Sequence, residues 1–284
     1  MKENIKKIAL IGGDVRQKYA AEALIGRGYT VSRFAIGDSD ERSLEDALDK
    51  ADLVILPIPL SRDGKFLNAP LYREKIALEH LFDALKHVKR VALGAAREGE
   101  LPQMCDCRVT DYGKDPDFTL KNARATAEGA LSVIISETPK TVRGSVFAIM
   151  GYGKIARELA SMLKALGGKV KIFARSAFAR EEAKEFGMCA YDICDLGQNI
   201  FDADVIINTV PAVIFTKQSL SCVSKKAKIV ELASAPGGVR KEDTDALGIT
   251  LINAQSLPAR FSPESAAQYV IDSVFAHFCG EVSL

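Results

Sequence analysis

A glycine-rich turn at Gly151–Ala156 is the segment whose residue types most clearly predict a chemical role. It reads G-Y-G-K-I-A and lies between an apolar run at Val146–Met150 and a helical pattern. In such a strand–turn–helix, Gly151 allows the tight turn, Gly153 lets the backbone approach a pyrophosphate, and Ala156 allows close packing of the helix on the strand. Free N–H groups at the helix start favour phosphates. The turn predicts dinucleotide binding, with a purely structural turn as the alternative. The predicted cofactor-binding residues here are Gly151, Tyr152, Gly153, Lys154 and Ile155.

The end of the following predicted strand indicates which dinucleotide is bound. NAD enzymes usually place Asp or Glu about 20 residues after the glycines, where it holds the ribose 2′-hydroxyl. This sequence has Arg175 and Ser176 at that point and no acid. Because a guanidinium makes charge-assisted hydrogen bonds to a phosphate, these residues predict NADP, and Arg180 could assist them. A solvated arginine after a strand is the alternative.

Four loops follow predicted parallel strands, at the sheet edge where ligands usually bind. They are Pro57–Arg62, Gly94–Arg97, Asn208–Pro211 and Ala233–Gly238. We expect the third loop to run under the nicotinamide ribose. The fourth, preceded by Glu231, should face the nicotinamide or the substrate. For any single residue, ordinary turn chemistry or capping is the alternative. The cofactor-binding residues predicted in these loops are Asn208, Thr209, Val210, Pro211, Ala233 and Ser234.

The first half of the chain has no dinucleotide signature. Its G-G-D-V-R segment at 12–16 follows an apolar run, but no third small residue has the required spacing, and Asp14 would repel a phosphate. Glycines allow close backbone approach, and Arg16 can pair with a carboxylate, so the segment predicts a substrate loop. An exposed arginine at a helix start is the alternative. The predicted substrate-binding residues are Gly13, Asp14, Arg16, Pro59, Ser61, Pro236, Gly237 and Gly238.

Short apolar runs alternate with helical patterns along the chain, which is typical of parallel sheets covered by helices. The halves also repeat one another. A-L-I-G-G at 9–13 matches A-I-M-G-Y at 148–152, and A-D-L-V-I-L-P-I-P at 51–59 matches A-D-V-I-I-N-T-V-P at 203–211. We therefore expect two doubly wound α/β domains in tandem. The predicted strands lie near 8–11, 31–35, 53–56, 91–93, 146–150, 170–174, 205–208, 229–232 and 250–252. The predicted helices lie near 16–26, 44–50 and 73–87, and begin near Lys154, Ala179, Asp195 and Gln218.

Long helices predicted at 118–137 and 263–277 flank the second half. Formate and 2-hydroxyacid dehydrogenases join their two domains in this way, with the chemistry in the cleft between them. We predict a flavodoxin-like substrate domain at 1–120, a Rossmann dinucleotide-binding domain at 121–261, and a C-terminal helix at 262–284 that returns to the first domain.

The composition excludes several other classes of function. Hydrophobic residues make up 48% of the 284 residues, which is typical of globular domains, and the net charge of +1 gives no reason to expect nucleic acid or an acidic membrane surface as a partner. No apolar run approaches the ~18 residues that a membrane span needs. Six cysteines without a C-x-x-C pair and three histidines predict reduced thiols, a cytoplasmic location and no metal site.

Four segments of the chain resemble the A subunits of dipicolinate synthases. They are I-A-L-I-G-G-D-V-R-Q-K-Y at 8–19, T-A-E-G at 126–129, V-F-A-I-M-G-Y-G-K-I-A-R-E-L at 146–159 and E-L-A-S-A-P-G-G-V at 231–239. The G-G-D-x-R-Q and A-S-x-P-G-G runs are the specific parts. The resemblance implies oxidation of a dihydrodipicolinate-type intermediate of the lysine pathway to dipicolinate during sporulation, together with a flavoprotein-like B subunit.

The implied chemistry assigns roles to three further side chains. Aromatising a dihydropyridine removes a hydride, for which a nicotinamide is the acceptor. Arg16 and Arg97 are the candidates for binding the dianionic substrate, and Glu128 or a bound water for taking the proton. Two rival functions stay open: an NADP-binding structural or sensing protein whose partner does the chemistry, and a 2-hydroxyacid dehydrogenase, although no histidine falls near 256–261. A homodimer is also left open.

Overall fold

The computed structural model describes residues 5–37, 41–97, 107–234 and 236–279. These divide into two compact units. The first lies within residues 1–122 and 262–284, and the second is Ala123–Phe261. Each unit contains one parallel sheet with helices between its strands. The predicted pair of parallel-sheet α/β domains is therefore confirmed.

The first unit has five parallel strands: β1 Lys7–Ile11, β2 Thr30–Phe34, β3 Leu53–Ile55, β4 Arg90–Leu93 and β5 Arg108–Asp111. Their order in the sheet is β2-β1-β3-β4-β5, which is the flavodoxin-like order. After the first residues of β1 and β4, the central strands are apolar because helices cover both faces of the sheet. Its first helices are α1 Val15–Gly26, α2 Leu44–Leu48 and α3 Leu78–Leu85.

A 22-residue helix, α4 at Pro116–Glu137, carries the chain from the first unit into the second. Phe118, in its first turn, packs against Tyr112 in the core of the first unit. Later residues of α4, including Ala127, Ala130 and Ile134, belong to the core of the second unit. The division between the units thus falls within a continuous helix.

The second unit has six parallel strands: β6 Val146–Met150, β7 Lys169–Phe173, β8 Cys189–Tyr191, β9 Val205–Asn208, β10 Lys228–Glu231 and β11 Thr250–Asn253. Their order in the sheet is β11-β10-β9-β6-β7-β8, which is the order of a Rossmann fold with its first strand, β6, inside the sheet. The helices are α5 Lys154–Ala165, α6 Ala177–Glu185, α7 Leu196–Asn199, α8 Lys217–Ser221, α9 Lys241–Leu247 and α10 Leu257–Phe261.

The last helix, α11 at Pro263–Cys279, packs against α1 in the first unit. Ala20 and Leu24 of α1 share a buried cluster with Val270 and Val274 of α11. Burial of these side chains on both helices stabilises the return of the C-terminal segment to the first unit.

Two short strands were not predicted from the sequence. Strands β5 and β8 each lie at a sheet edge and are only partly buried, so neither shows the apolar run of a central strand. Helix α3 begins at Leu78 rather than near 73. The residues before it, 61–77, form a strap that is held by the bridges Ser61–Leu67 and Phe66–Ala77.

Candidate cofactor and substrate sites

The turn at Gly151 requires glycine for two reasons. Its φ of +88° lies in the left-handed region, and a Cβ built there would lie 2.8 Å from Thr209 Oγ1 and 3.0 Å from Val210 Cγ2. The Thr209 hydroxyl donates to Met150 O over 2.7 Å, which holds that side chain in place. The loop after β9 therefore packs directly on the glycine turn.

Gly153, in contrast to Gly151, has open space around its Cα. It is the N-cap of α5, and a Cβ built on it would meet no heavy atom within 4 Å. The first turn of α5, which contains Lys154 and Ile155, has no acidic residue. The N–H groups of a helix start point along its axis, and with open space before them they fit a pyrophosphate. The residues present therefore fit the dinucleotide that the sequence predicts.

Arg175 lies exposed after β7 and lines a cavity of about 670 Å³ in the second unit. Ile193, Val213 and Ile214 line the same cavity from the segments that follow β8 and β9. Within the described part of the chain, no hydrogen bond or ion pair joins the Arg175 guanidinium to another residue. The side chain is thus available to a ligand in this cavity.

The other two residues predicted near a 2′-phosphate have structural partners. Ser176 is the N-cap of α6, and its hydroxyl accepts a hydrogen bond from Ala179 N. Arg180 Nη1 donates to Ala174 O, to Arg175 O and to Asp192 Oδ2, at 2.7, 2.8 and 2.7 Å. Arg180 therefore stabilises the turn that presents Arg175.

Asn208 and Glu231 end the neighbouring strands β9 and β10, and both side chains are buried. Asn208 Oδ1 accepts from Val210 N over 3.1 Å, and Nδ2 donates to Val210 O and to Glu231 Oε1 over 2.9 and 2.7 Å. The Asn208 side chain thus supports the loop that continues through Pro211.

The carboxylate of Glu231 holds the loop that follows β10. Its oxygens accept from Ala233 N over 3.0 Å and from Gly238 N over 2.8 Å. Burial raises the pKa of Glu231, and the hydrogen bonds from Gly238 and Asn208 oppose that rise. Its side chain is directed into this network.

The rest of that loop includes four of the predicted ligand-binding positions. Ser234 and Pro236 are exposed, and Ala235 lies outside the described residues. Gly237 has a φ of +75°, and a Cβ at Gly238 would lie 2.4 Å from Asn208 Nδ2. The two glycines therefore let this loop close over the Asn208–Glu231 pair.

In the first unit, backbone hydrogen bonds connect three loops at the carboxyl edge of the sheet. Gly13 N donates to Asn68 O, Asn68 N to Leu60 O and Leu60 N to Gly94 O, each over 2.8 Å. A Cβ at Gly12 would lie 2.6 Å from Leu67 of the strap. The Ile58–Pro59 peptide bond in this region is cis. Glycine at position 12 is therefore needed for Leu67 of the strap to pack on the substrate loop.

Arg16 and Asp14 form a bidentate ion pair in the predicted substrate loop. Arg16 Nε and Nη2 donate to the two carboxylate oxygens over 2.8 Å each, and Nη2 also donates to Ile58 O over 2.7 Å. The side chains are only 12% and 13% exposed. Burial lowers the pKa of Arg16, but the hydrogen bond and charge of Asp14 outweigh it and raise the pKa above its ordinary value.

Of the remaining candidates, Arg97 and Ser61 belong to the first unit and Glu128 to the second. Arg97 is exposed and donates from Nη2 to Arg62 O over 2.6 Å in the first unit. Ser61 is buried, and its hydroxyl donates to Asp63 Oδ1 and accepts from Gly64 N. Glu128 is exposed on α4, within the second unit.

Asn68 has an unusual position that no motif in the sequence marks. It is 5% exposed, and its Oδ1 accepts from Arg62 Nε over 3.1 Å, while Nδ2 is buried without a partner among the residues that the structure describes. Most buried donors in native proteins are hydrogen-bonded, so Asn68 is a candidate that sequence analysis missed.

Within the described ranges, no group of three or more His, Cys, Asp or Glu side chains could hold a metal ion. None of the helices in those ranges combines the length and apolar character that a membrane crossing requires.

Both the first unit and the whole chain match known proteins. Residues 7–112 match the model of the N-terminal domain of the dipicolinate synthase A subunit. The whole sequence is 26% identical to the dipicolinate synthase A subunit of Bacillus subtilis (strain 168) over 287 aligned residues, covering 97% of this chain and 96% of the relative. The chain is thus similar to the family of dipicolinate synthase A subunits over nearly its whole length. The match confirms the resemblance seen in the four sequence segments.

Two solved structures of the family have the same fold. The Bacillus subtilis dipicolinate synthase A chain aligns with a TM-score of 0.81 and 26% identity, covering 97% of each chain. The dipicolinate synthase A subunit of Bacillus halodurans aligns with a TM-score of 0.79 and 24% identity, covering 98% of each chain.

The second unit connects this relative of the dipicolinate synthase A subunits to dehydrogenases. Residues 122–243 match the model of the NAD binding domain of D-isomer specific 2-hydroxyacid dehydrogenases. A Salmonella D-lactate dehydrogenase shares the fold, with a TM-score of 0.65 and 14% identity, covering 96% of each chain. The chain thus carries a dehydrogenase-type nicotinamide-dinucleotide domain, which supports its assignment as an oxidoreductase.

Proposed function

We propose that the chain is the NADP-dependent A subunit of a dipicolinate synthase, which oxidises a dihydrodipicolinate-type intermediate of the lysine pathway to dipicolinate during sporulation. The observation that carries the proposal is the match of residues 7–112 to the N-terminal domain of the A subunit, on a chain whose second unit has a preformed dinucleotide turn. Similarity to the Bacillus subtilis protein over 97% of the chain supports it further.

The reaction determines what the protein must provide. Converting a dihydropyridine dicarboxylate to the pyridine dicarboxylate removes one hydride and one proton. When bound, NADP supplies the hydride acceptor. The chain must bind a dianion, orient its ring, and provide a route for the proton. Because formation of an aromatic product makes the oxidation favourable, the main task of the protein is to orient the substrate ring against the nicotinamide.

Cofactor binding falls to the second unit. The turn at Gly151 and the open N-terminus of α5 would hold the pyrophosphate. Arg175 would hold the 2′-phosphate, because it lines the large cavity and has no partner among the described residues. Arg180 and Ser176 would maintain the turn beside it.

Substrate binding falls in part to the first unit. The Nη1 group of Arg16 donates to no other residue in the described part of the chain, so it would bind a substrate carboxylate while Asp14 fixes the guanidinium plane. Gly13 would allow close approach to the backbone, and the exposed Arg97 would add positive charge. Glu128 is our candidate for the proton acceptor, with a bound water as the alternative.

The decisive experiment mixes the purified chain, NADP and a dihydropyridine dicarboxylate, with and without the flavoprotein-like partner of the same organism. NADPH and dipicolinate are followed separately by their ultraviolet absorbance. We expect the chain alone to bind NADP and form little dipicolinate, and activity to rise to a fixed stoichiometry as the partner is added.

Other results would separate the rivals. Full activity without the partner would contradict the requirement for a second protein. Dipicolinate formation without NADPH formation would support a structural or sensing role for the bound cofactor. Reduction of a 2-oxoacid with NADPH would support a 2-hydroxyacid dehydrogenase.

A further inference from the structure

Arg157, on the second turn of α5, contacts the glycine-rich turn twice. Its Nε donates to the main-chain oxygen of Tyr152 over 3.0 Å. Its guanidinium also lies over the Tyr152 ring, 4.8 Å from the centroid, and that ring is buried. Tyr152 is the residue between the two glycines of the turn. Arg157 therefore contacts the backbone between the two glycines, where the missing Cβ atoms leave the main chain least restricted.

A carboxylate on the next helix holds Arg157 in this position. Arg157 Nη1 donates to Glu182 Oε1 of α6. Glu182 is only 19% exposed, and its second oxygen accepts no hydrogen bond from any residue that the structure describes. The planar guanidinium can bind the carboxylate, bind the carbonyl and stack on the ring at the same time, which an ammonium group cannot do.

The bond to Tyr152 O determines the direction of the adjacent N–H group. In a trans peptide unit the C=O and N–H bonds point in opposite directions. The Tyr152 carbonyl is directed toward Arg157, so the N–H of Gly153 is directed away from it. Gly153 is the N-cap of α5 and has open space around its Cα. The N–H is thus presented at the helix start, where a phosphate oxygen would accept it.

We propose that Arg157 is a positioning residue for the cofactor pyrophosphate: it fixes the Tyr152–Gly153 peptide so that the Gly153 N–H is presented to the phosphate, and Glu182 fixes Arg157. This inference rests on the proposed function, because it requires a dinucleotide at the turn. Arg157 itself contacts protein atoms and acts through the peptide.

The test compares two ligands that differ in the pyrophosphate. Calorimetry gives the Kd of NADPH and of adenosine 2′-phosphate, which lacks the pyrophosphate, for wild type and Arg157→Gln. Losing one oriented donor should weaken NADPH binding about tenfold and leave adenosine 2′-phosphate within about twofold. Glu182→Gln should weaken NADPH less, because the neutral amide still accepts a hydrogen bond from Arg157.

A neighbouring ion pair provides a matched control. Arg124 Nε on α4 pairs with Glu158 Oε1 over 3.2 Å, and Glu158 is adjacent to Arg157 on α5. In the described part of the chain, no hydrogen bond joins this pair to the turn. Arg124→Gln should therefore leave both affinities unchanged. Arg157→Lys keeps the positive charge but lacks the planar guanidinium with its several N–H donors, so its NADPH affinity should stay reduced.

Three results would overturn the inference. They are unchanged NADPH affinity in Arg157→Gln, equal weakening of both ligands together with a lower melting temperature, and full recovery of NADPH affinity in Arg157→Lys. If the wild type prefers NAD, NADH and adenosine replace the two probes. If wild type melts in a cooperative transition and binds neither dinucleotide, the proposed function itself fails.

Discussion

Asn208 Nδ2 and Glu231 Oε1 form a 2.7 Å hydrogen bond between the last residues of strands β9 and β10. Both side chains are buried, and their other polar atoms bind the backbone of Val210, Ala233 and Gly238. One pair of side chains therefore positions both loops that the sequence predicts to lie near the nicotinamide.

Glu231→Ala should lower the free energy of unfolding by about 2 kcal/mol or more, because it leaves the Asn208 amide and the Ala233 and Gly238 N–H groups without their acceptor. Urea unfolding followed by circular dichroism measures the change. Glu242→Ala, at an exposed position in α9, is the control and should have little effect. A Glu231 variant as stable as the wild type would contradict the structural role of the pair.

Two alanine substitutions separate folding from cofactor binding at the glycine turn. Gly153→Ala should retain wild-type stability, because its Cβ meets no protein atom, and should weaken dinucleotide binding about tenfold or more by occupying the space before α5. Gly151→Ala should lower both the stability and the dinucleotide affinity, since its Cβ would meet Thr209 and Val210 at a positive φ. Melting curves and calorimetry on each variant provide the measurements. Normal NADPH binding by Gly153→Ala would place the pyrophosphate elsewhere.

Arg175→Ala tests cofactor choice. Removal of a charge-assisted pair with the 2′-phosphate should cost ~1.5–3 kcal/mol, or about ten- to a hundredfold in the Kd of NADP, with the Kd of NAD nearly unchanged. Calorimetry with both cofactors measures the two effects. Arg143→Ala, an exposed arginine before the opposite end of β6, is the control. An equal loss for both cofactors would mean that Arg175 supports the fold instead.

The repeated Ala-Asp dipeptides show which part of the fold could be predicted from the sequence. Asp52 precedes β3 and accepts from Lys6 N and Lys7 N over 2.8 and 2.9 Å. Asp204 precedes β9 and accepts from Val146 N over 2.9 Å. Each aspartate holds the start of the first strand of its unit. The internal repeat could be recognised because buried central strands and their flanking residues serve the same role in both sheets.

The hydrogen-bond partners of the side chains within the sites could not be predicted from the sequence. The pattern marked Arg16 and the glycine turn, but the pairing of Arg16 with Ile58 O, and that of Arg157 with Tyr152 O, depend on how loops and helices pack. Asn68 was missed for the same reason, because its position depends on a strap with no periodic pattern. Residue type and spacing indicate a helix start or a phosphate turn, whereas they do not specify contacts between distant loops.

Arg16→Lys tests the substrate loop. Lysine cannot bind both oxygens of Asp14 and the Ile58 carbonyl while presenting further donors, so the KM for the dihydropyridine dicarboxylate should rise about tenfold or more. The Kd of NADPH should not change, because the turn at Gly151 belongs to the other unit. Steady-state kinetics and calorimetry measure the two quantities. Unchanged kinetics would remove Arg16 from the substrate site.

The two strand-start aspartates predict how stability depends on pH. The backbone N–H of Lys7 lowers the pKa of Asp52. Burial raises the pKa of Asp204, but the hydrogen bonds from Lys140 and Val146 outweigh it, so that pKa is also lowered. A carboxyl group with a lowered folded-state pKa stabilises the fold above its unfolded value, about 3.9, and loses that contribution as the pH falls through the folded value.

Asp204→Asn should therefore destabilise the protein by about 1 kcal/mol at neutral pH, where the wild-type carboxylate is charged. The difference from wild type should shrink steadily below about pH 4, because protonation removes the same charge from the wild type. Asp52→Asn should show the same trend. Urea unfolding of both variants between neutral and acidic pH, followed by circular dichroism because the chain has no tryptophan, measures it. A difference that stays constant, or grows as the pH falls, would show that the charge of these aspartates does not stabilise the strand starts.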